Sequence, residues 1–252
     1  MPTEYTNDYL LDKKVDILQP INGYRASSDA VLLAAFVSQN KEGCRILDVG
    51  SGTGAVSLCL AHRLQSLAPQ IDGFEIQSDL VELSNLSAQK NKFINVEFHN
   101  VDIRAGFTNS KFSFCSYDAV VTNPPYSDHD MPSPNLSKAT AHNHQNFNLT
   151  EWLKFCFKMT KPFGKIYVIN RAEALQEICA VAGKQAAVVE IMPIYSKQKQ
   201  QAKRILVCLQ KDSKTPCKIL EPFITHDDKG NYTAKAQKIL RGGASFDDVN
   251  EI

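Results

Sequence analysis

From Arg45 onward the chain repeats one pattern, a short apolar run followed by a longer amphipathic one. Arg45–Val49 (RILDV) reads as a buried strand, and residues 55–67 as a helix with one apolar face. Residues 71–76 (IDGFEI) and 95–99 (NVEFH) give a second and a third strand, with a helix over 80–91 between them. Residues 118–122 and 165–170 (KIYVIN) are the fourth and fifth strands, separated by a helix over Leu149–Met159 and followed by another over 172–182. Residues 187–193 and 204–210 (RILVCLQ) complete a set of seven. Strands that alternate with helices need crossover connections, so the sheet is mostly parallel and the class is α/β. The last two strands have no helix between them and are predicted to form an antiparallel hairpin at the sheet edge. Upstream, residues 26–38 have helix-forming composition with Ser27 or Ser28 as cap. Residues 1–20 are mixed and polar and suit a short hairpin or arm.

Composition narrows the class without naming a function. With 252 residues, 43% of them hydrophobic, the chain can bury a sizeable core without metal or disulfide support. Its seven cysteines are odd in number and form no CxxC pair, which points to a reducing compartment, hence the cytoplasm. No Cys/His cluster has ligand spacing, so no metal is expected. No apolar run reaches membrane-spanning length, so no membrane is expected either. A formal net charge of +1 announces no polyanionic partner globally. Locally the balance differs: between Trp152 and Lys211 only Glu173, Glu177 and Glu190 oppose a run of lysines and arginines. Within it, "YSKQKQQAKR" links the last two strands and brings Lys197, Lys199, Lys203 and Arg204 together. Such a segment can follow phosphates, or can equally be a solvated hairpin tip. Arg171 ends the fifth strand.

"LDVGSGTG" (Leu47 to Gly54) ends the first strand and opens the first helix. Gly50, Gly52 and Gly54 let backbone approach a ligand with no Cβ in the way. The spacing is Gly-x-Gly-x-Gly, not the Gly-x-Gly-x-x-Gly of dinucleotide folds. Asp48 sits just before the turn and would repel a pyrophosphate. A ligand with positive charge fits better, and S-adenosylmethionine carries a sulfonium and an amino group. Glu75 ends the second strand, where an acidic residue binds ribose hydroxyls in such folds. Asp102 follows the third strand, placed to accept from an adenine amino group. Taken singly, each is an ordinary turn or cap residue. Taken in order, Asp48 with the glycines, Glu75, Asp102 and Asn123 follow successive strands, all at carboxyl ends, where open α/β sheets bind ligands.

The fourth strand runs into "NPPY", Asn123-Pro124-Pro125-Tyr126. Two prolines stop a strand in any protein, because neither nitrogen donates to a ladder. After an intact cofactor turn they take on a second meaning. The glycine turn, Glu75, Asp102 and NPPY together resemble the class I S-adenosylmethionine-dependent methyltransferases that act on planar amides or exocyclic amines. "QPINGYRASSDAVLLAAF" (Gln19 to Phe36), "RILVCLQKD" (Arg204 to Asp212) and "EPFITHDDKGNYTAKAQKIL" (Glu221 to Leu240) narrow the resemblance to the bacterial tRNA1(Val) adenine-37 N6-methyltransferase family. It covers nearly the whole chain.

The resemblance implies a single domain with a Rossmann-like, mostly parallel seven-stranded sheet. Residues 1–43 would be an arm and helix covering the cofactor, 44–212 the core and 213–252 a tail. S-adenosylmethionine would be the cofactor and tRNA the partner, and the protein a monomer. Asn123 and the Pro124 carbonyl would accept hydrogen bonds from the target amine, and Tyr126 would stack on the base. Tyr24 or Arg25, with a lesser role for Gln19, would shape the cofactor pocket. Arg171, Lys197, Lys199, Lys203 and Arg204 would meet RNA. Rival readings are a protein-glutamine N5-methyltransferase acting on release factors, an rRNA or DNA adenine methyltransferase, and an RNA-binding module without catalysis. The short stretch before Asp48 leaves little room for the N-terminal helical domain of the glutamine enzymes. The polar stretch 127–147 shows the weakest similarity.

Overall fold

Alternate side chains of the central strands go to opposite faces, and both faces are covered. The structure, a computed structural model, describes residues 4–104, 111–125, 148–183 and 185–250. Its strands are β1 Tyr5–Leu10, β2 Val15–Pro20, β3 Arg45–Val49, β4 Gln70–Glu75, β5 Val96–Asn100, β6 Tyr117–Thr122, β7 Thr160–Arg171, β8 Ala186–Tyr195, β9 Arg204–Lys211, β10 Lys218–Ile219 and β11 Phe223–Ile224. Its helices are α1 Ser28–Phe36, α2 Ala55–Arg63, α3 Ser78–Lys90, α4 Leu149–Met159, α5 Leu175–Ala182, α6 Ala234–Leu240 and α7 Phe246–Asn250.

The main sheet has the order β10-β8-β9-β7-β6-β3-β4-β5, and β11 also pairs with β8. Every pairing is parallel except those of β9, which runs antiparallel between β7 and β8. The seven expected strands and the antiparallel hairpin are therefore present. The hairpin does not end the sheet, however. Tail residues add β10 and β11 to the outer side of β8, making nine strands. Each is two residues long, too short for a periodic signal, and each covers an edge that would otherwise pair with another chain.

Ile46, Ala119, Val121, Tyr167, Ile169 and Leu206 face one way, packed with α1, α2 and the tail. Leu47, Val49, Val120, Ile166, Val168 and Val207 face the other, packed with α4 and α5. Helix α1 is buried from Asp29 to Phe36 because neighbours enclose it on all sides. Ser27 caps it, its hydroxyl accepting from Asp29 N at 3.2 Å. Phe246 of α7 closes the tail onto Phe36 and Phe223, with ring centroids 6.1 and 5.0 Å apart.

The arm is a β1–β2 ribbon, antiparallel and separate from the main sheet. It is pinned to α3 through Leu18 N, which donates to Ser87 Oγ, and Asp16 N, which donates to Asn91 Oδ1, both at 2.9 Å. Arg25 is committed here. Its guanidinium pairs with Asp8 at 2.7 Å and also reaches Thr6 Oγ1. Gln19 donates to Asp8 at 3.0 Å and accepts from Ala26 N at 2.8 Å. Both residues tie the ribbon to the segment entering α1, so of the expected pocket-shaping pair only Tyr24 reaches the turn.

Arg204 is likewise used inside the fold, pairing with Asp29 in the first turn of α1. Asp29 is only 4% exposed, so Arg204→Ala takes an ion-pair partner from a buried carboxylate. Arg204→Ala is expected to cost about 2–4 kcal/mol of stability, read as a lower thermal midpoint. An unchanged midpoint would show the pair to be dispensable.

Candidate active site

Strand β3 ends at Val49, and the chain turns through Gly50, Gly52 and Gly54 at φ +73, +56 and +80. Those left-handed angles require glycine. Three aromatic rings require it too. A Cβ at Gly50 would lie 2.6 Å from Trp152, at Gly52 2.6 Å from Tyr24, and at Gly54 2.6 Å from Phe98. The clearance read from the sequence as room for a ligand is thus also room for side chains of this chain.

Asp48 and Glu75 flank the turn. Asp48 is 1% exposed and accepts from Ser57 Oγ at 2.8 Å. Burial pushes its carboxyl up to about 7, against the pull of Ser57 and with Glu75 adding repulsion. Glu75 accepts from Gly52 N and Gln77 N, both at 2.9 Å, and burial raises its carboxyl too. Tyr24 lies within the field of both carboxylates. Burial first, then those charges, push its phenol up to about 12. Asp102 is gripped by the Arg104 side chain through both its oxygens, at 2.7 and 2.6 Å. An adenine amino group there would share an oxygen with that guanidinium.

Asn123 follows β6 directly, one strand over from the turn. Its Oδ1 is buried and has no hydrogen-bond partner among the described residues. Pro124 is buried beside it and Pro125 is exposed. Tyr126, expected to stack on the base, and the stretch 127–147 lie outside the described residues. Trp152, which the sequence reading passed over, stands between the two motifs. Its indole Nε1 donates to Thr122 Oγ1 at 2.7 Å while its ring rests on Gly50. The available signal was its being the chain's single tryptophan.

The segment between β8 and β9 lies at this same end of the sheet, since Arg171 faces Arg204 across β7 and β9. Lys199 and Lys203 are exposed there, and Lys197 donates to Asp228 O at 3.3 Å. Asn170 Oδ1 accepts from Arg171 N at 2.7 Å.

A family model described as a methyltransferase domain matches residues 40–221. The chain belongs to the methyltransferase family. Its relatives include the tRNA1(Val) (adenine(37)-N6)-methyltransferase of Pedobacter heparinus, 30% identical over 78% of this chain and 82% of that one. The protein of the same name from Dyadobacter fermentans is 25% identical over 93% and 96%. Among solved structures, a predicted O-methyltransferase from Agrobacterium tumefaciens superposes with a TM-score of 0.71 at 22% identity, over 86% of this chain and 98% of that one. A type I restriction-modification methyltransferase subunit from Streptococcus thermophilus gives 0.57 at 17%, over 91% and 57%. At these identities the two structures establish the fold alone.

The cofactor of this methyltransferase is S-adenosylmethionine. The residues present fit it. Ser51 Oγ and Thr53 Oγ1 on the turn are buried with no hydrogen-bond partner among the described residues. Buried hydroxyls of that kind call for a ligand or water. Asp48 suits the ligand's positive charge, and Glu75 its ribose hydroxyls.

Because the carboxyl of Asp48 sits near 7 rather than 3.8, folding takes up a proton between those values. Cofactor-free stability therefore falls as pH rises through that window, and Asp48→Asn flattens the fall. A cationic ligand favours the ionised form. Its binding at about pH 6 should release a proton, and affinity should rise up to about tenfold toward pH 8. Calorimetry in buffers of different ionisation enthalpy checks both. Asp48→Asn should bind more weakly at pH 8 and lose most of the pH dependence. A wild-type affinity that does not change with pH would contradict the assignment.

Proposed function

We propose that this methyltransferase acts in the cytoplasm on N6 of an adenosine in tRNA, namely adenosine 37 in the anticodon loop of a valine tRNA. The observation that carries the reading is the Oδ1 of Asn123 at the carboxyl end of β6, buried and with no hydrogen-bond partner among the described residues. An exocyclic amine has two N–H groups and a lone pair delocalised into its ring, which makes it a poor nucleophile. Asn123 Oδ1 accepts from one N–H and the Pro124 carbonyl from the other. Held so, the nitrogen turns its lone pair out of the ring plane. Proline fixes φ, so Pro124 and Pro125 hold the carbonyl direction.

The cofactor supplies a methyl group on a sulfonium that leaves as a neutral thioether. The amine sheds one proton to solvent, so no side chain is assigned as base. Alignment then carries much of the rate. A base in a loop unstacks more readily than one in a duplex, which favours an anticodon-loop target. Tyr126 is assigned the stacking role and Lys197, Lys199, Lys203 and Arg171 the phosphate contacts. The names of the relatives from Pedobacter and Dyadobacter support the choice of tRNA and position.

Incubated with labelled S-adenosylmethionine and unmodified total tRNA, the protein should yield N6-methyladenosine in a valine tRNA. Label confined to a release factor would transfer the reading to glutamine. Asn123→Ala should lower kcat by at least about a hundredfold with cofactor affinity nearly unchanged. Equal loss of both would make Asn123 structural.

A further inference from the structure

Trp152 joins the two halves of the site. Its position is itself held, because Asn148 caps α4, accepting from Glu151 N at 3.0 Å. Thr150 N and Oγ1 in the same turn donate to Glu177 Oε1 on α5 at 3.0 and 2.8 Å. From that fixed base the indole reaches two strand ends. Its Nε1 donates to Thr122 Oγ1 at 2.7 Å, and the Thr122 hydroxyl donates onward to Val49 O at 2.9 Å. Its ring edge, Cζ2 and Cη2, would lie 2.6 and 2.8 Å from a Cβ at Gly50. Val49 leads into the cofactor turn and Thr122 leads into Asn123. Thr122 is fully buried, so its hydroxyl has no water to turn to.

We propose that Trp152 is a positioning residue, acting through Thr122 to fix Asn123 at its working distance from the cofactor turn. It touches neither the amine nor the methyl group. The electrophile carries its own charge, so the chain's main lever on the rate is distance and angle between two strand ends. A misplacement of about 1 Å can cost about a hundredfold in rate. One indole bonded to one strand end and packed on the other removes that freedom. The proposal rests on methyl transfer at Asn123 and not on which RNA is the acceptor.

Trp152→Phe keeps a ring and loses the N–H, Thr122→Val keeps the shape and loses the hydroxyl, and Thr122→Ser keeps the hydroxyl. With unmodified tRNA as acceptor, kcat should fall at least about tenfold in Trp152→Phe and in Thr122→Val. The dissociation constant for S-adenosylhomocysteine should stay within about threefold of wild type. Because the two groups form one bridge, the double variant should be no slower than the slower single one. Thr122→Ser should restore most of the rate. Wild-type kcat in either single variant would overturn the proposal, as would parallel loss of kcat and cofactor affinity, the mark of plain packing. The single tryptophan adds a readout that needs no RNA: adding S-adenosylhomocysteine to the wild-type protein should change the Trp152 emission. Unchanged emission at saturation would also overturn it. A wild-type protein that transfers no methyl to tRNA refutes the substrate reading instead, and the emission then judges Trp152 alone.

Discussion

Strands β3 and β6 lie side by side, parallel and in register, with Val49 opposite Thr122. The next residue on one strand is Gly50, where the cofactor turn begins, and on the other it is Asn123. The gap between the glycine turn and Asn123, the positions proposed for cofactor and acceptor, is therefore set by one ladder of backbone hydrogen bonds. A slip of one residue would move Asn123 by about 3.3 Å and turn it to the other face of the sheet. Both strands are buried on both faces, which makes such a slip costly. Where the ladder ends, the Thr122 hydroxyl continues it by donating to Val49 O.

The polar groups of the turn explain its preference among ligands. Four of its five N–H groups are already bonded inside the protein. Gly50 N and Ser51 N donate to Phe74 O, Gly52 N to Glu75, and Gly54 N to Ser51 O. A pyrophosphate cradle needs such groups free. Here the turn instead presents two carboxylates and two buried hydroxyls with no partner among the described residues. Burying Asp48 without a cation is unfavourable, and a cationic ligand relieves that strain. Ligand binding and stability are then coupled, since whatever binds only the folded chain stabilises it.

Strand and helix positions were legible because apolar period and β-branching record burial directly, and Arg45–Val49 and Leu149–Met159 match residue for residue. The order of acidic and amide residues after successive strands was legible too, since parallel topology brings carboxyl ends to one edge. Partner choice was not. Arg25 and Arg204 read as charges for ligands, yet folding sets each beside an aspartate, Asp8 and Asp29, that sequence distance does not connect to it. Trp152 escaped notice for a related reason. It lies about thirty residues beyond Thr122, and only the packing of α4 beneath the sheet end joins them. Strands β10 and β11 draw their stability from the edge of β8 rather than from their own pattern.

The antiparallel run of β9 has its own consequence for the acceptor side. Had β9 been parallel to β8, the chain between them would have had to cross the sheet. Running antiparallel, it is joined by the short segment 196–203, which stays at the carboxyl end with Asn123. That segment lies two to three strands from β6, about 10–14 Å at ordinary strand spacing. Its lysines thus stand to one side of Asn123, the proposed reacting position, rather than over it. This suits a polynucleotide that turns one base toward Asn123 while its neighbouring phosphates pass along the segment. The tail reinforces the arrangement, because Thr225 N and His226 N donate to Tyr195 O and Ser196 O and hold the root of the segment in place. The residues that cap the sheet edge therefore also brace the surface assigned to RNA.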